Sequence, residues 1–425
     1  MSKHWTPASA RLRSAAYKRA WRAVRAELRA GPQVESGQPR GVALLLVLMV
    51  MAIVAAFTAE YNYKSYIRLH VASNIRDDAI AYYHARSAME VARLVIKSQN
   101  VADNMLNAVA AITGKKPNTE LWTMADKFAN AFCTGELKLM GKTFFDFTGM
   151  GGVGVEKGGM CKARVKPEDG RTNINRVNSR SEKQQLWTEI YMKLLSRREE
   201  PLLVGEFDQE RAEVALNIID WADSDTNRTD VTTQGIVQEG AQAEALNMDK
   251  GIKVKDAKFD TLAELQYVPD ITPDLYCALA EDLTPYATEK LNINQASLTT
   301  LRGMLCDPQN MSNFDVACYG PGGGLLGTIP PIDEALYCLD ICRTLRQSLM
   351  SPGFSNVNQF MTFFQRLRPA LDPRPVINTR NLAQALGTKS KIIRVETVGG
   401  SYGTYRSLTG IIDTSTGDYV YWREY

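Results

Sequence analysis

The sequence predicts an α+β chain built from one long N-terminal helix, an antiparallel sheet, and a large α-helical domain inserted between strands that lie far apart in the chain. Three observations carry this prediction. An uncharged run, Gly41–Ala59, is followed by apolar residues at three- and four-residue steps as far as Ile96, with no Pro or Gly from Val42 to Gln99. Gly-punctuated β-forming segments lie between residues 120 and 174, and three more close the chain after residue 390. Between these two groups, helix-spaced apolar residues dominate.

The nineteen residues of Gly41–Ala59, at about 1.5 Å per helical residue, match the roughly 30 Å of a bilayer core. Tyr61, Tyr63 and Tyr66 follow directly, where amphipathic rings favour the membrane interface. Ahead of the run, nine basic side chains stand against Glu27 and Glu35. By the positive-inside bias this leader stays cytoplasmic and everything beyond Ala59 is exported. No small-residue cleavage site of the secretory kind follows the apolar core. The formal charge of the whole chain is +3, so the part after the basic leader is net acidic and offers no extended basic face for nucleic acid.

The helix is expected over 42–99, about 85 Å long, with a membrane half at about 42–60 and an amphipathic half on a globular head. In that second half Ile75, Ala79, Tyr82, Ala85, Met89, Ala92 and Ile96 form the apolar stripe. The head divides into a first part at 100–175, a helical domain at 176–375 and C-terminal strands at 376–425. Expected strands are Glu136–Met140, Lys142–Phe147, Cys161–Val165, Lys391–Val398, Arg406–Asp413 and Asp418–Tyr425; Gly399, Gly400 and Thr416–Asp418 supply turns for a C-terminal meander. Expected helices are Glu182–Leu195, Asp208–Trp221, Thr261–Val268, Pro273–Leu283, Ala296–Leu305, Ile332–Leu349 and Val357–Leu367. A tandem arrangement, with the early and late strands in separate sheets, is the alternative to an insertion. A short motif recurs at Asn173–Asn175, Leu291–Ala296 and Val376–Thr379, where an Asn at the entry to a helix reads as an N-cap.

Catalytic chemistry is sparse. His4, His70 and His84 all precede residue 90, so the head has no imidazole for a Ser-His-Asp or Cys-His centre or for a His-ligated zinc, and the chain reads as a non-enzyme. Asp220, Asp223, Asp225, Asn227 and Asp230 form a dense set of oxygen donors just after a helix, with Glu239 and Glu244 as outer candidates. Calcium suits such donors, yet Arg228 and Gln234 replace the Gly and the bidentate Glu that an EF-hand loop requires. The set is therefore either a calcium site of another kind or an Asp-rich turn without an ion. All seven cysteines lie on the exported side, as an oxidising compartment favours. Cys133 with Cys161 and Cys306 with Cys318 are candidate disulfides; the odd count leaves at least one thiol over.

Several of these features in order carry a family resemblance: the basic leader ending at Gly41-Val42, Glu168–Asn175, Ile219–Asp225, Glu264-Leu265, Leu291–Ala296 and the closing Trp422–Glu424. The chain resembles general secretion pathway protein K, the minor pseudopilin K of type II secretion, over nearly its whole mature length. Most prepilins carry Glu at the fifth residue after the junction; here that position is Leu46, as in the K subfamily. The resemblance implies a pilin-like fold with a helical insertion, removal of 1–41 by prepilin peptidase between Gly41 and Val42, and N-methylation of Val42. It further implies an inner-membrane, periplasm-facing protein that joins minor pseudopilins I and J and other pseudopilins at the pseudopilus tip. The family is associated with calcium near the Asp-rich segment, with further carboxylates downstream; here that stretch is Gly240–Glu244. A minor pilin of a type IV pilus and an uncleaved single-span periplasmic binding protein are the rival readings.

Overall fold

The computed structural model describes residues 21–22, 25–26, 40–113, 120–139, 142–146, 155, 159–197, 208–232, 235–243, 253–288, 290–320, 330–348, 353–366 and 375–425. The chain divides into two compact units, Met1–Ser73 and Asn74–Tyr425. Most of the basic leader, together with Gln234 and Glu244, lies outside the described residues.

Helix α1 runs Arg40–Thr113. It passes the expected end at Gln99 because the first Gly after Gly41 is Gly114. In the first unit Val42, Leu44, Leu46 and Phe57 are all more than half exposed, an apolar surface that fits a single-pass membrane anchor.

In the second unit, the part of α1 from Asp77 onward is amphipathic. Ala81, Ala85, Ala88, Met89, Ala92 and Ile96 are fully buried, at the spacing of one helix face. A 3-10 turn, Leu121–Met124, and helix α2, Ala125–Thr134, follow. Next come β1 (Glu136–Leu139), β2 (Lys142–Asp146) and β3 (Gly159–Pro167). The early strands do not share one sheet: among the described residues β1 and β2 pair only with each other, while β3 joins the C-terminal strands. Across the insertion, β4 (Thr172–Asn173), α3 (Arg180–Leu195), α4 (Asp208–Ala222), β5 (Asn227–Val231) and β6 (Val237–Ala243) form the first group. A 3-10 helix, Leu262–Tyr267, stands where an α-helix is expected, followed by α5 (Pro273–Ala280) and β7 (Leu283–Thr284). The second group holds β8 (Leu291–Asn292), α6 (Leu298–Leu305), α7 (Phe314–Tyr319), α8 (Pro331–Ser348), α9 (Val357–Arg366), α10 (Thr379–Ala385) and β9 (Leu386–Gly387). The chain closes with β10 (Ile392–Ser401), β11 (Thr404–Asp413) and β12 (Tyr419–Glu424).

The main sheet has the order β12-β11-β10-β3, antiparallel throughout. Val395 of β10 faces Val165 of β3 and Gly410 of β11, so strands more than two hundred residues apart share one sheet and the helices between them are an excursion from it. Tyr402 and Gly403, both at positive φ (44° and 91°), make the two-residue β10–β11 turn. Buried Ala163, Ile393, Val395, Leu408 and Ile412 of the sheet pack with the alanine face of α1 and with Trp122, Ala125 and Ala129. The insertion contains two further cores, one centred on α3, α4 and α5 and the other on α6 to α10.

The Asn motifs do more than cap helices. Asn175 Nδ2 donates to the carbonyls of Phe259 (2.9 Å) and Pro285 (3.1 Å), while its Oδ1 accepts from Phe259 N–H at 2.7 Å. Asn294 repeats the pattern, donating to Phe354 O (2.9 Å) and Thr388 O (3.2 Å) and accepting from Phe354 N–H at 2.7 Å. Ser179 and Ser297 are the N-caps of α3 and α6. Only the third motif behaves as expected, with Asn378 capping α10. Each of the first two motifs also leads out of a short parallel pair, β4 with β7 and β8 with β9, so one backbone-clamping device is used twice.

Helix α1 lies hard against the sheet at Gly399, where a Cβ would collide with the backbone of Ala81 and Ala85. Gly399→Ala is expected to destabilise the head by about 3 kcal/mol, seen as a lowered urea midpoint with an unchanged slope. A neutral substitution would show that α1 does not seat on the sheet there.

Candidate functional site

Two places bear on function. The first is the start of α1, where Gly41 lies in the first turn and the exposed side chains of Val42 and Leu46 follow. Nothing within 4 Å would meet a Cβ at Gly41, so small size there is not required by packing inside this chain.

The second is a nest of carboxylates around one ammonium. Helix α3 begins at its Ser179 cap and places Lys183 one turn in, with its side chain only 7% exposed. Helix α4 ends at Ala222 and the chain turns through Asp223 and Asp225, while β6 brings Glu239 alongside. Lys183 Nζ lies 2.8 Å from Asp223 Oδ2, 3.2 Å from Asp225 Oδ2 and 2.7 Å from Glu239 Oε1. One ammonium thus donates hydrogen bonds to Asp225 and Glu239 and forms an ion pair with Asp223. Burial alone lowers the pKa of Lys183, but the contacts with Asp223, Glu239 and Asp225 outweigh it and hold the ammonium above its ordinary range. Asp223 is nearly fully buried; burial, together with repulsion from Asp225 and Glu239, pushes its carboxyl up to about 6 against the pull of Lys183. A cavity of about 280 Å³ borders the nest, lined in part by Arg180, Lys183, Asp223, Asp225, Glu239 and Lys258.

The other oxygen donors of the segment point elsewhere. Asp220 Oδ1 accepts from Thr229 N–H at 2.9 Å, fastening the end of α4 to β5, and burial pushes its carboxyl up to about 7. Asn227 is exposed at the start of β5, where its N–H donates to Asp225 Oδ1. Asp230 faces Arg228 at 4.0 Å. Calcium takes six to eight oxygens at about 2.3–2.6 Å, whereas the point where Asp223, Asp225 and Glu239 converge is taken by Lys183 Nζ. Among the described residues no group of three or more His, Cys, Asp or Glu side chains is arranged to hold a metal. As placed, these residues do not fit a calcium ion.

Lys183 is the residue that sequence reasoning missed. It sits 40 or more residues from each partner, and its burial follows from the packing of α3 against α4 and β6. The cysteines are also placed by the fold: Cys133 of α2 is bonded to Cys161 of β3, and Cys306 to Cys318, with Cα–Cα separations of 5.3 and 5.9 Å. Cys277, Cys338 and Cys342 are free thiols.

A second set of buried ionic side chains meets α3 further along the helix. Arg176 donates to Glu189 Oε1 at 2.5 Å, and Lys193 donates to Thr300 at 2.6 Å. Asp307, just after α6, is 1% exposed and accepts from Gln309 N–H at 2.8 Å.

No family model and no curated protein matches the chain. Among solved structures it is similar to a chain in the crystal structure of the GspK-GspI-GspJ complex from the type 2 secretion system of enterotoxigenic Escherichia coli. The TM-score is 0.39 and the identity 13%, over 63% of this chain and 80% of that chain.

Burial, reinforced by Glu189, raises the Asp307 carboxyl to about 7 against the hydrogen bond from Gln309 and the charge of Arg176. Its unfolded value is about 3.9. Between these values the folded state holds a proton that the unfolded state has lost, so this group costs stability as pH rises through that window, in full above about 7. Asp307→Asn, which preserves the acceptor for Gln309, should therefore stabilise the protein more at pH 8 than at pH 5. Urea midpoints of the two proteins at both pH values test this; a gain that shrinks with pH contradicts it.

Proposed function

We propose that this chain is the minor pseudopilin K of a type II secretion system, anchored in the inner membrane with its head in the periplasm. In this reading, prepilin peptidase removes residues 1–41 and Val42 becomes the methylated N-terminus. The protein then joins minor pseudopilins I and J at the tip of the pseudopilus and helps to initiate its assembly, without catalytic activity of its own. The observation that carries the proposal is α1. A single helix carries the Gly41-Val42 junction in its first turn, exposes an apolar surface of bilayer length, and further along lays an alanine-lined face on an antiparallel sheet. The junction is the substrate of the peptidase, the apolar run is the anchor, and the sheet-backed segment is the frame of a pilin-like head.

Leu46 supports the tip position on physical grounds. In a filament of such helices, a Glu at the fifth mature position meets the N-terminal ammonium of the subunit ahead. An unpaired carboxylate in that apolar setting costs several kcal/mol. A first subunit has no neighbour ahead, and leucine there carries no such cost. The insertion between β3 and β10 is bulk that obstructs stacking of another subunit above it.

The intact mass and N-terminal peptide of the protein purified from its native membrane test this. The expected product starts at N-methylated Val42, and Gly41→Leu is expected to retain the leader and abolish secretion. An intact leader in the wild-type protein would eliminate the filament role; a processed protein whose loss affects twitching and not secretion would point to a type IV pilus instead.

A further inference from the structure

We infer that Lys183 is the built-in cation of the head: its ammonium neutralises the carboxylate nest formed by the end of α4 and by β6, so the fold at that point does not depend on a divalent ion. The donors do not converge on open space. Asp223, Asp225 and Glu239 come from the α4–β5 turn and from β6, 42 residues or more from Lys183 in the case of Asp225 and Glu239, and all lie within 3.2 Å of the one Nζ. The Lys183 ammonium donates hydrogen bonds to Asp225 and Glu239 and pairs by charge with Asp223, so all three carboxylates are served by one cation. The stem of Lys183 is held by the surrounding helix: neighbouring Gln184 accepts from Val237 N–H at 2.7 Å and donates to Gly235 O at 3.0 Å, docking the β5–β6 hairpin on α3. The same hairpin therefore reaches α3 by a neutral clamp at Gln184 and a charged one at Lys183, and an ion is not needed to bring the segments together.

The arrangement also states what happens without the lysine. Asp223 is 3% exposed and neither carboxyl oxygen has a hydrogen-bond partner, Oδ2 being held only by the ion pair with Lys183. Removing the ammonium leaves three carboxylates facing one another, one of them buried. That is a nest a divalent cation would fill, with the unpartnered Oδ1 available to make Asp223 bidentate. A single lysine thus separates a metal-independent from a metal-dependent form of the same turn.

The test is thermal unfolding of the full chain in detergent, followed by the fluorescence of Trp187 and Trp221, in EDTA and in millimolar calcium chloride. The wild-type midpoint is expected to move by less than about 1 °C between the two media, whereas Lys183→Met is expected to unfold earlier in EDTA and to gain about 4 °C or more from calcium. A folded Lys183→Met protein whose calcium response is no larger than that of the wild type overturns the inference. The wild type and an Asp225→Asn, Glu239→Gln double variant decide the matter independently of whether Lys183→Met folds. Equal calcium responses in these two proteins uphold the inference, and a wild-type response that the double variant loses overturns it.

Discussion

The head depends first on one carboxylate. Asp169 stands two residues beyond the end of β3, where the chain leaves the sheet, and it is 1% exposed. Its Oδ1 accepts from both the N–H and the hydroxyl of Thr288, and its Oδ2 accepts from the N–H groups of Lys391 and Ile392. Its carbonyl takes the N–H of Asn292 at 2.7 Å. Thr288 and Asn292 flank the join between the two halves of the insertion, and Ile392 opens β10. One side chain therefore ties exit, midpoint and return of the insertion to a single spot on the sheet. Adjacent Glu168 is fully buried and pairs with Arg394 of β10. Charged acceptors with several N–H partners are among the stronger hydrogen-bonded groups in proteins, and this tie adds to the ring contact of Tyr286 with Tyr421 of β12 in holding the insertion to the sheet.

The insertion continues the same strategy inward. Helix α3 is buried around almost its whole circumference, yet Lys183, Gln184, Gln185, Thr188, Glu189 and Lys193 all lie in that buried surface. A helix so placed must satisfy its polar groups through specific partners, and most find one: the hairpin β5–β6 at one end, Arg176 in the middle and Thr300 at the other, while Trp187 Nε1 is buried without a hydrogen-bond partner. Polar contacts position the pieces, and the flanking hydrophobic clusters supply most of the burial. The two asparagine clamps at Asn175 and Asn294 complete the scheme by fixing the short parallel pairs from which each half grows. Function, on the reading proposed above, falls to the other end of the chain, where the apolar helix carries the anchor and the junction, while the head provides bulk and surface.

Much of this was legible in the residues. The apolar run from Gly41, the alternation of alanines with charged residues up to Ile96, and the β-rich termini of the head are local patterns, and local patterns survive in sequence because the periods of helix and strand are set by backbone geometry. Less legible were elements whose form depends on a distant partner. Glu136–Leu139 and Lys142–Asp146 read as members of the sheet but, among the described residues, pair only with each other; the outer edge of β3 is met instead by the side chain of Asn130, which bonds both the N–H and the carbonyl of Ala163. The Asp-rich segment after Trp221 showed its donors plainly and their partner not at all, because the cation that gathers Asp223, Asp225 and Glu239 stands on another helix. Asn175 and Asn294 read as caps because a cap is the local use of asparagine, whereas their actual acceptors lie 60 to 110 residues away.

By itself, then, the sequence determined the long helix, its membrane-compatible half, the strand-rich ends and the absence of histidine chemistry from the head. All of these follow from residue types and their spacing along a few turns. Tertiary structure alone decided that β3 returns to β10 across more than two hundred residues, that Asp169 holds the crossing, and that Lys183 occupies the centre of the carboxylates. Such outcomes depend on which distant groups are brought within about 3 Å of one another and removed from water, and the strength and sign of an electrostatic contact are set by that environment and not by composition.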